Sequence, residues 1–442
     1  MSNRSRLAIL VGGGPAPGIN SVIGAATIRA TLAGCDVLGI RDGFKWLVRG
    51  DTGHVDALTI EHVSRIHFQG GSVLGTSRAN PTKDAADLHS TAEALERLGV
   101  DRLITIGGDD TAFSALRLQQ EAAGRLRVAH VPKTIDNDLD LPLGVPTFGF
   151  QTARHVGVDI VKNLMMDAKT TGRWYLILTM GRQAGHLALG IGKAAGTTLT
   201  VIPEEFPSGP IRLGRLVDTL AGAVVKRLSH GRVDGTAVLA EGLSERLAPD
   251  DLAAFGNVER DAHGHVRLAE LGLGPLVKTR LQQRLDALGV HPTLVVKDIG
   301  YELRCADPIP FDMEYTRDLG FLAADFLQEG GSAAMVTLQA GHFHPVPLLS
   351  MLDPETGRTR VRLVDTGSAH YQIARSYMVR LGQDDFTEPA SLAKLAQAAR
   401  LTPDQFRDQF GYVVEDEPAR RDPVADASGS VAGGVARWRK AS

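Results

Sequence analysis

The stretch Val131-Pro132-Lys133-Thr134-Ile135-Asp136-Asn137-Asp138 decides how the rest of the chain is interpreted. A mostly apolar run over residues 126–131 leads into it and is typical of a buried strand that ends at Pro132. In an open parallel sheet, ligands bind beyond the carboxyl ends of the strands. Lys133, Asp136 and Asp138 are therefore expected to project into one crevice, where a lysine beside two acids suits phosphoryl transfer. Taken alone, the stretch could equally be a polar turn with a solvated charge cluster.

The composition indicates an ordinary globular protein. The chain has 442 residues, enough for two or three domains, with 43% apolar and 22% charged residues and a net charge of −3. This charge offers no basic field for nucleic acid or for an anionic membrane. The sequence opens with no signal-peptide pattern and has no apolar run long enough to span a bilayer. Its two cysteines lack metal-ligand spacing, which fits a reducing cytoplasm.

Strands alternate with helices along the chain, and several of the strands end in glycines. Predicted strands of a first set lie at 6–11, 36–40, 102–106 and 126–131. The pattern restarts after Phe148, with predicted strands at 174–179, 199–202, 237–240 and 293–297. A strand at 334–338 is expected to return to the first sheet. This alternation predicts an α/β fold of two doubly wound domains, with mainly parallel sheets and helices on both faces.

Two further loops follow predicted strands and carry polar candidates. In Gly13-Gly14-Pro15-Ala16-Pro17-Gly18-Ile19-Asn20, backbone N–H groups at a helix start could bind an anion, although a tight turn is the alternative. The loop is neither G-x-G-x-x-G nor a P-loop, which argues against a dinucleotide-binding dehydrogenase. In Gly107-Gly108-Asp109-Asp110, Asp109 could hold Mg²⁺ together with phosphate oxygens, or an acid could cap a helix that starts near Thr111.

Five motifs in this order resemble the phosphofructokinase family. They are the three stretches quoted above together with Gly75-Thr76-Ser77-Arg78 and Met180-Gly181-Arg182. The resemblance runs from about residue 6 to 340 and weakens beyond it. It implies an active site in the cleft between the two domains, Mg²⁺ as the cofactor, and phosphoryl transfer to the 1-hydroxyl of fructose 6-phosphate.

The resemblance also implies roles for individual residues. Asp136 would be the general base for the sugar hydroxyl, and Thr134 and Asp138 would hold substrate hydroxyls and help to orient metal and base. Asp109 would bind Mg²⁺, and the Gly13 backbone N–H would meet the phosphoryl donor. Further substrate contacts are implied for Ile135, with no part of the substrate specified, and for Arg78 and Arg182 (phosphoryl oxygens), Met180, Gly181 and Glu241 (sugar), Tyr301 and Arg304 (sugar phosphate), and Arg173 (the 6-phosphate across a subunit interface).

The same resemblance suggests how the domains divide the substrates. Residues 1–147 plus about 303–365 would form the phosphoryl-donor domain. Residues 148–302 plus about 366–414 would form the sugar-phosphate domain, and 415–442, which are charged and aperiodic, a mobile tail. For 342–409 we expect only helix packing or subunit contact. The shared role of Arg173 implies a homodimer or homotetramer.

Asp110 and Lys133 favour pyrophosphate over ATP as the donor. ATP-using members of the family have glycine at both positions, whereas here a carboxylate at 110 would repel the α-phosphate and occupy the space of the ribose. Lys133 would give one cation to the free end of pyrophosphate. An ATP-dependent phosphofructokinase is the alternative. A catalytically silent regulatory subunit is disfavoured because Asp109, Asp136 and Arg182 are all present.

Overall fold

The architecture comes from a computed structural model that describes residues 5–142, 144–252, 272–355, 357 and 359–415. Within these ranges the strands form two sheets, one of seven and one of four strands. The strands are β1 (Arg6–Val11), β2 (Asp36–Ile40), β3 (Val55–Leu58), β4 (Arg102–Gly107), β5 (Arg127–Pro132), β6 (Arg173–Thr179), β7 (Leu199–Val201), β8 (Gly235–Ala240), β9 (Thr293–Ile299), β10 (Ala334–Gln339) and β11 (His342–Pro347).

Helices flank both sheets. They are α1 (Ile19–Leu32), α2 (Ile60–Val63), α3 (Ala85–Arg97), α4 (Asp109–Glu121), α5 (Phe150–Thr171), α6 (His186–Ala195), α7 (Leu213–Ser229), α8 (Pro249–Leu252), α9 (Leu273–Ala287), α10 (Tyr301–Arg304), α11 (Pro310–Gln328), α12 (Ala369–Tyr377), α13 (Gln383–Thr387), α14 (Pro389–Ala398) and α15 (Pro403–Phe410). None of the helices in the described ranges is long and apolar enough to cross a bilayer.

The first sheet has the strand order β11-β10-β5-β4-β1-β2-β3. Its five central strands are parallel, and the edge strands β3 and β11 are antiparallel to their neighbours. The central strands read as apolar runs because both of their faces are covered. The expected return of β10 to this sheet is confirmed. Neither edge strand was predicted, and β11 contains two prolines, which sheets tolerate only at an edge.

The second sheet, in the order β7-β8-β6-β9, is entirely parallel. Its core includes side chains from the segment after β11, among them Leu381, Leu392, Phe406 and Phe410. Part of the stretch 342–409, for which only packing or subunit contact was expected, therefore completes the second core. The edges of the proposed domains remain a prediction, and residues 416–442 of the predicted tail lie outside the described residues.

Helix α11 contacts elements that pack on both sheets. It packs along α1 so closely that a Cβ built on Gly320 would lie 2.5 Å from the Val22 carbonyl oxygen. At its first turn, the buried Asp312 carboxylate accepts hydrogen bonds from the backbone N–H groups of Gly149 (3.0 Å) and Thr152 (2.7 Å). These are donors at the start of α5, which has no side-chain cap of its own. The predicted α/β fold of mainly parallel sheets with helices on both faces is thus confirmed. Helix α11 connects the two sheets.

Candidate active site

The carboxyl ends of β1, β4 and β5 open into one cavity that also receives side chains that follow β6 and β9 of the second sheet. This is the sheet edge at which parallel strands place ligands. The predicted site residues that line this cavity are Gly13, Arg78, Asp109, Asp110, Lys133, Thr134, Ile135, Asp136, Asp138, Arg182 and Arg304.

The loop after β1 forms one wall of the cavity. Its Gly13 has φ 80°, a left-handed conformation that glycine adopts without steric cost. The Gly13 N–H donates to the Ser77 carbonyl oxygen at 2.9 Å, and the Thr76 hydroxyl donates to the Gly13 carbonyl oxygen at 2.6 Å. The Gly13 N–H thus already has a protein acceptor, and its expected contact with a phosphoryl donor stays a prediction.

Lys133 places a buried cation against this loop. Its side chain is only 4% exposed, and its ammonium donates to the Gly14 carbonyl oxygen. Burial lowers the pKa of Lys133 to about 7; the nearby Arg304 also lowers it, whereas Asp136 and Asp109 oppose the shift. Burial thus disfavours the charged form of Lys133. An anion that enters the cavity would favour that charged form.

Asp136 combines one bonded and one unbonded carboxylate oxygen. Oδ2 lies 3.5 Å from the Arg182 backbone N–H, whereas the buried Oδ1 has no hydrogen-bond partner in the described part of the chain. The Asp136 N–H donates to the Thr134 hydroxyl at 3.0 Å, which fixes the turn. Burial raises the pKa of Asp136, and Arg304 and Arg182 act against that rise. A buried acceptor with a raised pKa is suited to taking a proton from a substrate hydroxyl.

Two more carboxyls near Asp136 are held partly in their neutral forms. Burial, Asp136 and Asp109 raise the pKa of Asp138 to about 8. Burial and Asp136 raise the pKa of Glu241 to about 7. Glu241 begins a 3-10 turn directly after β8 and accepts from the Gly181 N–H at 3.3 Å. These carboxyls therefore cannot all be ionised at neutral pH without nearby positive charge. A bound metal ion or basic side chains would supply that charge.

The carboxylates suit a metal that is shared with a ligand. The described residues contain no group of three or more His, Cys, Asp or Glu side chains able to hold a metal by themselves. Mg²⁺ usually takes only one or two carboxylates and completes its shell with water and substrate phosphates. Asp109 and Asp138, which line the same cavity, provide such a partial set. The chemistry of these residues thus fits a magnesium–phosphate complex better than a resident metal ion.

The remaining predicted residues lie beside the cavity or away from it. Met180 packs against Gly300, where a built Cβ would lie 2.9 Å from the Met180 Cε. Tyr301 is 64% exposed, with the Arg304 guanidinium over its ring at 5.2 Å. The Arg304 guanidinium also lies against the loop after β1, because its Cζ would lie 3.4 Å from a Cβ built on Gly14. Its side chain therefore faces the proposed donor loop as well.

Arg173 starts β6, whereas the cavity lies at the other end of that strand. At about 3.3 Å per residue, a strand of this length separates its ends by about 20 Å. In this chain Arg173 instead lies 3.9 Å from Asp167. Its expected contact with substrate would need a second copy of the chain and stays a prediction.

Two supporting residues were missed by sequence reasoning. His130, fully buried in β5, contacts the Thr105 hydroxyl at 2.8 Å and the Gly107 carbonyl oxygen at 3.0 Å. Burial lowers its pKa to about 3, so it stays neutral and holds Gly107, which also accepts the Lys133 N–H. Arg362 contacts the turn that carries Asp136. No spacing marks either residue, since one is a lone histidine in an apolar run and the other lies in an aperiodic segment.

Comparisons with known proteins show which family and fold the chain is similar to. A family model described as phosphofructokinase matches residues 6–327. The chain is 51% identical over 415 residues to the pyrophosphate–fructose 6-phosphate 1-phosphotransferase of Thermotoga maritima, covering 93% of this chain and 99% of that protein. It is 48% identical over 422 residues to the protein of the same name from Naegleria fowleri, covering 93% and 97%. A solved structure from Marinobacter aquaeolei, described as a pyrophosphate-dependent phosphofructokinase, shares the fold, with a TM-score of 0.62 at 19% identity and coverage of 85% and 90%.

Asp138 should make stability depend on pH. Its pKa is about 8 in the folded chain against an ordinary value of 3.8, so the neutral form stabilises the fold at low pH and this contribution is lost as the pH rises to 8. Asp138→Asn stays neutral, so it should raise the unfolding temperature more at pH 8 than at about pH 5, because the loss in the parent begins near pH 3.8 and is nearly complete at pH 8. Differential scanning calorimetry at both pH values measures the effect. Glu314→Gln, an exposed acid on α11, is the control. An Asn variant that is less stable than the parent at pH 8 would contradict the assignment.

Proposed function

Because the chain belongs to the phosphofructokinase family, we propose that it transfers a phosphoryl group from pyrophosphate to the 1-hydroxyl of D-fructose 6-phosphate. The products are D-fructose 1,6-bisphosphate and phosphate, and the transfer is reversible. Two relatives named for this reaction match over 97% or more of their length, which supports the whole activity rather than one domain of it. The observation that carries the donor assignment is the buried ammonium of Lys133 beside the loop after β1.

Lys133 and Asp110 together favour an inorganic donor. Lys133 offers a cation at the base of the cavity, where the free end of pyrophosphate carries charge that no nucleoside covers. Asp110 lies in the first turn of α4, on the wall of the same cavity, where a nucleotide would bring its α-phosphate. Like charges brought together in a desolvated site cost several kcal/mol, enough to reject ATP.

Asp136 is the proposed general base. Its unbonded Oδ1 accepts the proton of the sugar 1-hydroxyl, and the hydroxyl oxygen then forms a bond to the terminal phosphorus of pyrophosphate. The bond from that phosphorus to the bridging oxygen breaks, and phosphate leaves with the electron pair. In the reverse direction the protonated Asp136 returns its proton to the sugar oxygen. The raised pKa of Asp136 strengthens it as a base at neutral pH.

Basic side chains neutralise the charge of the group in transit. Arg78, Arg182, Arg304 and Lys133 line the cavity around the proposed reaction centre. Phosphoryl transfer requires mainly positioning and charge neutralisation, and the planar guanidinium suits two phosphate oxygens at once. Mg²⁺ bound through Asp109, with Thr134 and Asp138 helping to orient it, would screen charge between the two phosphates. The carboxylates of Asp109 and Asp138 and the hydroxyl of Thr134 are oxygen groups of the kind that such a complex would need from the protein.

The sugar is proposed to lie toward the second sheet. Ile135, Met180, Gly181 and Glu241 would hold its hydroxyls and ring. Tyr301 and Arg304 would bind the 6-phosphate, with Arg173 of a second copy, so the proposal includes a homodimer or homotetramer. A cytoplasmic location is part of the same proposal.

The donor assignment predicts a clear preference in a coupled assay. At saturating fructose 6-phosphate and Mg²⁺, the purified protein should form fructose 1,6-bisphosphate with pyrophosphate and scarcely with ATP, because Asp110 repels the nucleotide. The reverse reaction with phosphate should also be measurable. Turnover with ATP far above that with pyrophosphate would reverse the donor assignment and favour the ATP-dependent alternative.

Asp136→Ala removes the proposed base. Turnover should fall on the order of 10²–10⁴-fold, the usual size of a general-base contribution. The matched control is Asp140→Ala, which deletes a carboxylate of the same loop that pairs with Arg360 at 2.7 Å and does not line the cavity. Steady-state rates of both variants, measured with unfolding temperatures, give the comparison. Equal activities of the two variants would show that Asp136 is not the base.

A further inference from the structure

A segment beyond the family match closes over the turn that carries Asp136. We call residues 359–364 the strap; the matched region ends at residue 327. Val361 forms an antiparallel β-bridge with Leu139 and lines the active-site cavity. The N–H of the next residue, Arg362, donates to the Asp138 carbonyl oxygen at 2.8 Å. The strap therefore pairs with the backbone next to the proposed catalytic carboxylates.

The Arg362 guanidinium fixes the conformation of Asn137. Its Nε and Nη2 donate to the Asn137 carbonyl oxygen at 3.2 and 3.0 Å, and Nη2 donates to Asn137 Oδ1 at 2.5 Å. Nη1 donates to the Val145 carbonyl oxygen at 2.8 Å. Asn137 has φ 57°, a left-handed conformation that is uncommon outside glycine. Because Asn137 separates Asp136 from Asp138, its backbone angles set the directions of both carboxylates.

The other side of the strap is anchored to the loop that carries Arg182. The His186 Nε2 lies 3.0 Å from the Arg362 carbonyl oxygen, and burial lowers the pKa of His186 to about 4, so the neutral ring donates this bond. The Glu204 Oε1 accepts from the Gly185 N–H at 2.9 Å and from the Val364 N–H at 3.0 Å. The strap thus spans from the Asp136 turn to the start of α6, which follows Arg182 by four residues.

We propose that Arg362 is a positioning residue that sets the Asp136 carboxylate against the sugar 1-hydroxyl and against Arg182. The inference rests on the proposed function. Within the described residues, the side-chain hydrogen bonds of Arg362 go to Asn137 and Val145, so the effect that we propose reaches the reaction through Asn137. A displacement of about 1 Å of a reacting group can lower a rate on the order of 10²-fold, so a residue of this kind acts on turnover more than on affinity.

Arg362→Ala tests this role, and Arg360→Ala is the matched control. Arg360 belongs to the same strap, but it bonds Asp140 and the Ser350 carbonyl oxygen, not Asn137. We expect Arg362→Ala to lower kcat on the order of 10²-fold while KM for both substrates changes little. Millimolar guanidinium ion should restore part of the rate by occupying the vacated site, and equimolar sodium ion should not. Arg360→Ala should keep the parent's kcat and show no rescue.

The parent's pyrophosphate-dependent activity is measured first, which separates the two proposals. Absence of that activity would overturn the proposed function. An active parent with Arg362→Ala at the parent's kcat, or with its loss confined to KM, or without guanidinium rescue, would overturn the positioning role. If Arg362→Ala does not fold, Arg362→Lys is judged by its kcat and KM in the same way. Failure of both variants to fold would also count against the proposal, because Arg362 would then stabilise the fold as a whole.

Discussion

A buried ammonium determines the character of this site. Moving an ammonium out of water costs several kcal/mol unless partners compensate. The Lys133 ammonium donates a hydrogen bond to the Gly14 carbonyl oxygen. Arg304 disfavours its charged form, whereas Asp136 and Asp109 favour it. The balance leaves the pKa of Lys133 at about 7, so a bound anion would raise that pKa and favour the charged ammonium. A small, highly charged donor is the ligand that such a site favours, since its own charge completes the compensation.

The fold explains why this cation meets the carboxylates. β1, β4 and β5 are adjacent and parallel, so the residues after them converge at one edge of the sheet. Arg182 and Arg304 follow β6 and β9 of the second sheet and reach the same cavity. Asp312 of α11, which caps the start of α5, helps to hold the two sheets together. The proposed base consequently has both cations (Arg304, Arg182 and Lys133) and carboxyls (Asp138 and Glu241) as electrostatic neighbours. Burial raises the pKa of Asp136 and these cations lower it; in the proposed reaction the same cations would neutralise phosphate charge.

Sequence reasoning reached the parts of the site that local patterns determine. Residues directly after apolar strands, such as Asp109, Lys133 and Asp136, could be grouped because parallel topology brings strand ends together. Three features could not be reached in this way. The Gly13 N–H is used by Ser77, Arg304 extends to Gly14, and Arg362 holds Asn137. Each depends on contacts between segments far apart in the chain, which periodicity and turn signals do not encode. The edge strand β11 was missed for a similar reason. Its prolines argue against a strand in the sequence, and it forms by pairing with β10.

The most direct test of the account is the number of protons taken up when pyrophosphate binds. Calorimetric titrations in buffers of different ionisation enthalpy, at about pH 6 and pH 8, give this number for the parent and for Lys133→Met. If the donor's charge restores the charge of Lys133, the parent should take up nearly one proton more than the variant at pH 8, and the difference should shrink toward zero at pH 6. Equal proton uptake by parent and variant at both pH values would contradict a donor site built on this lysine.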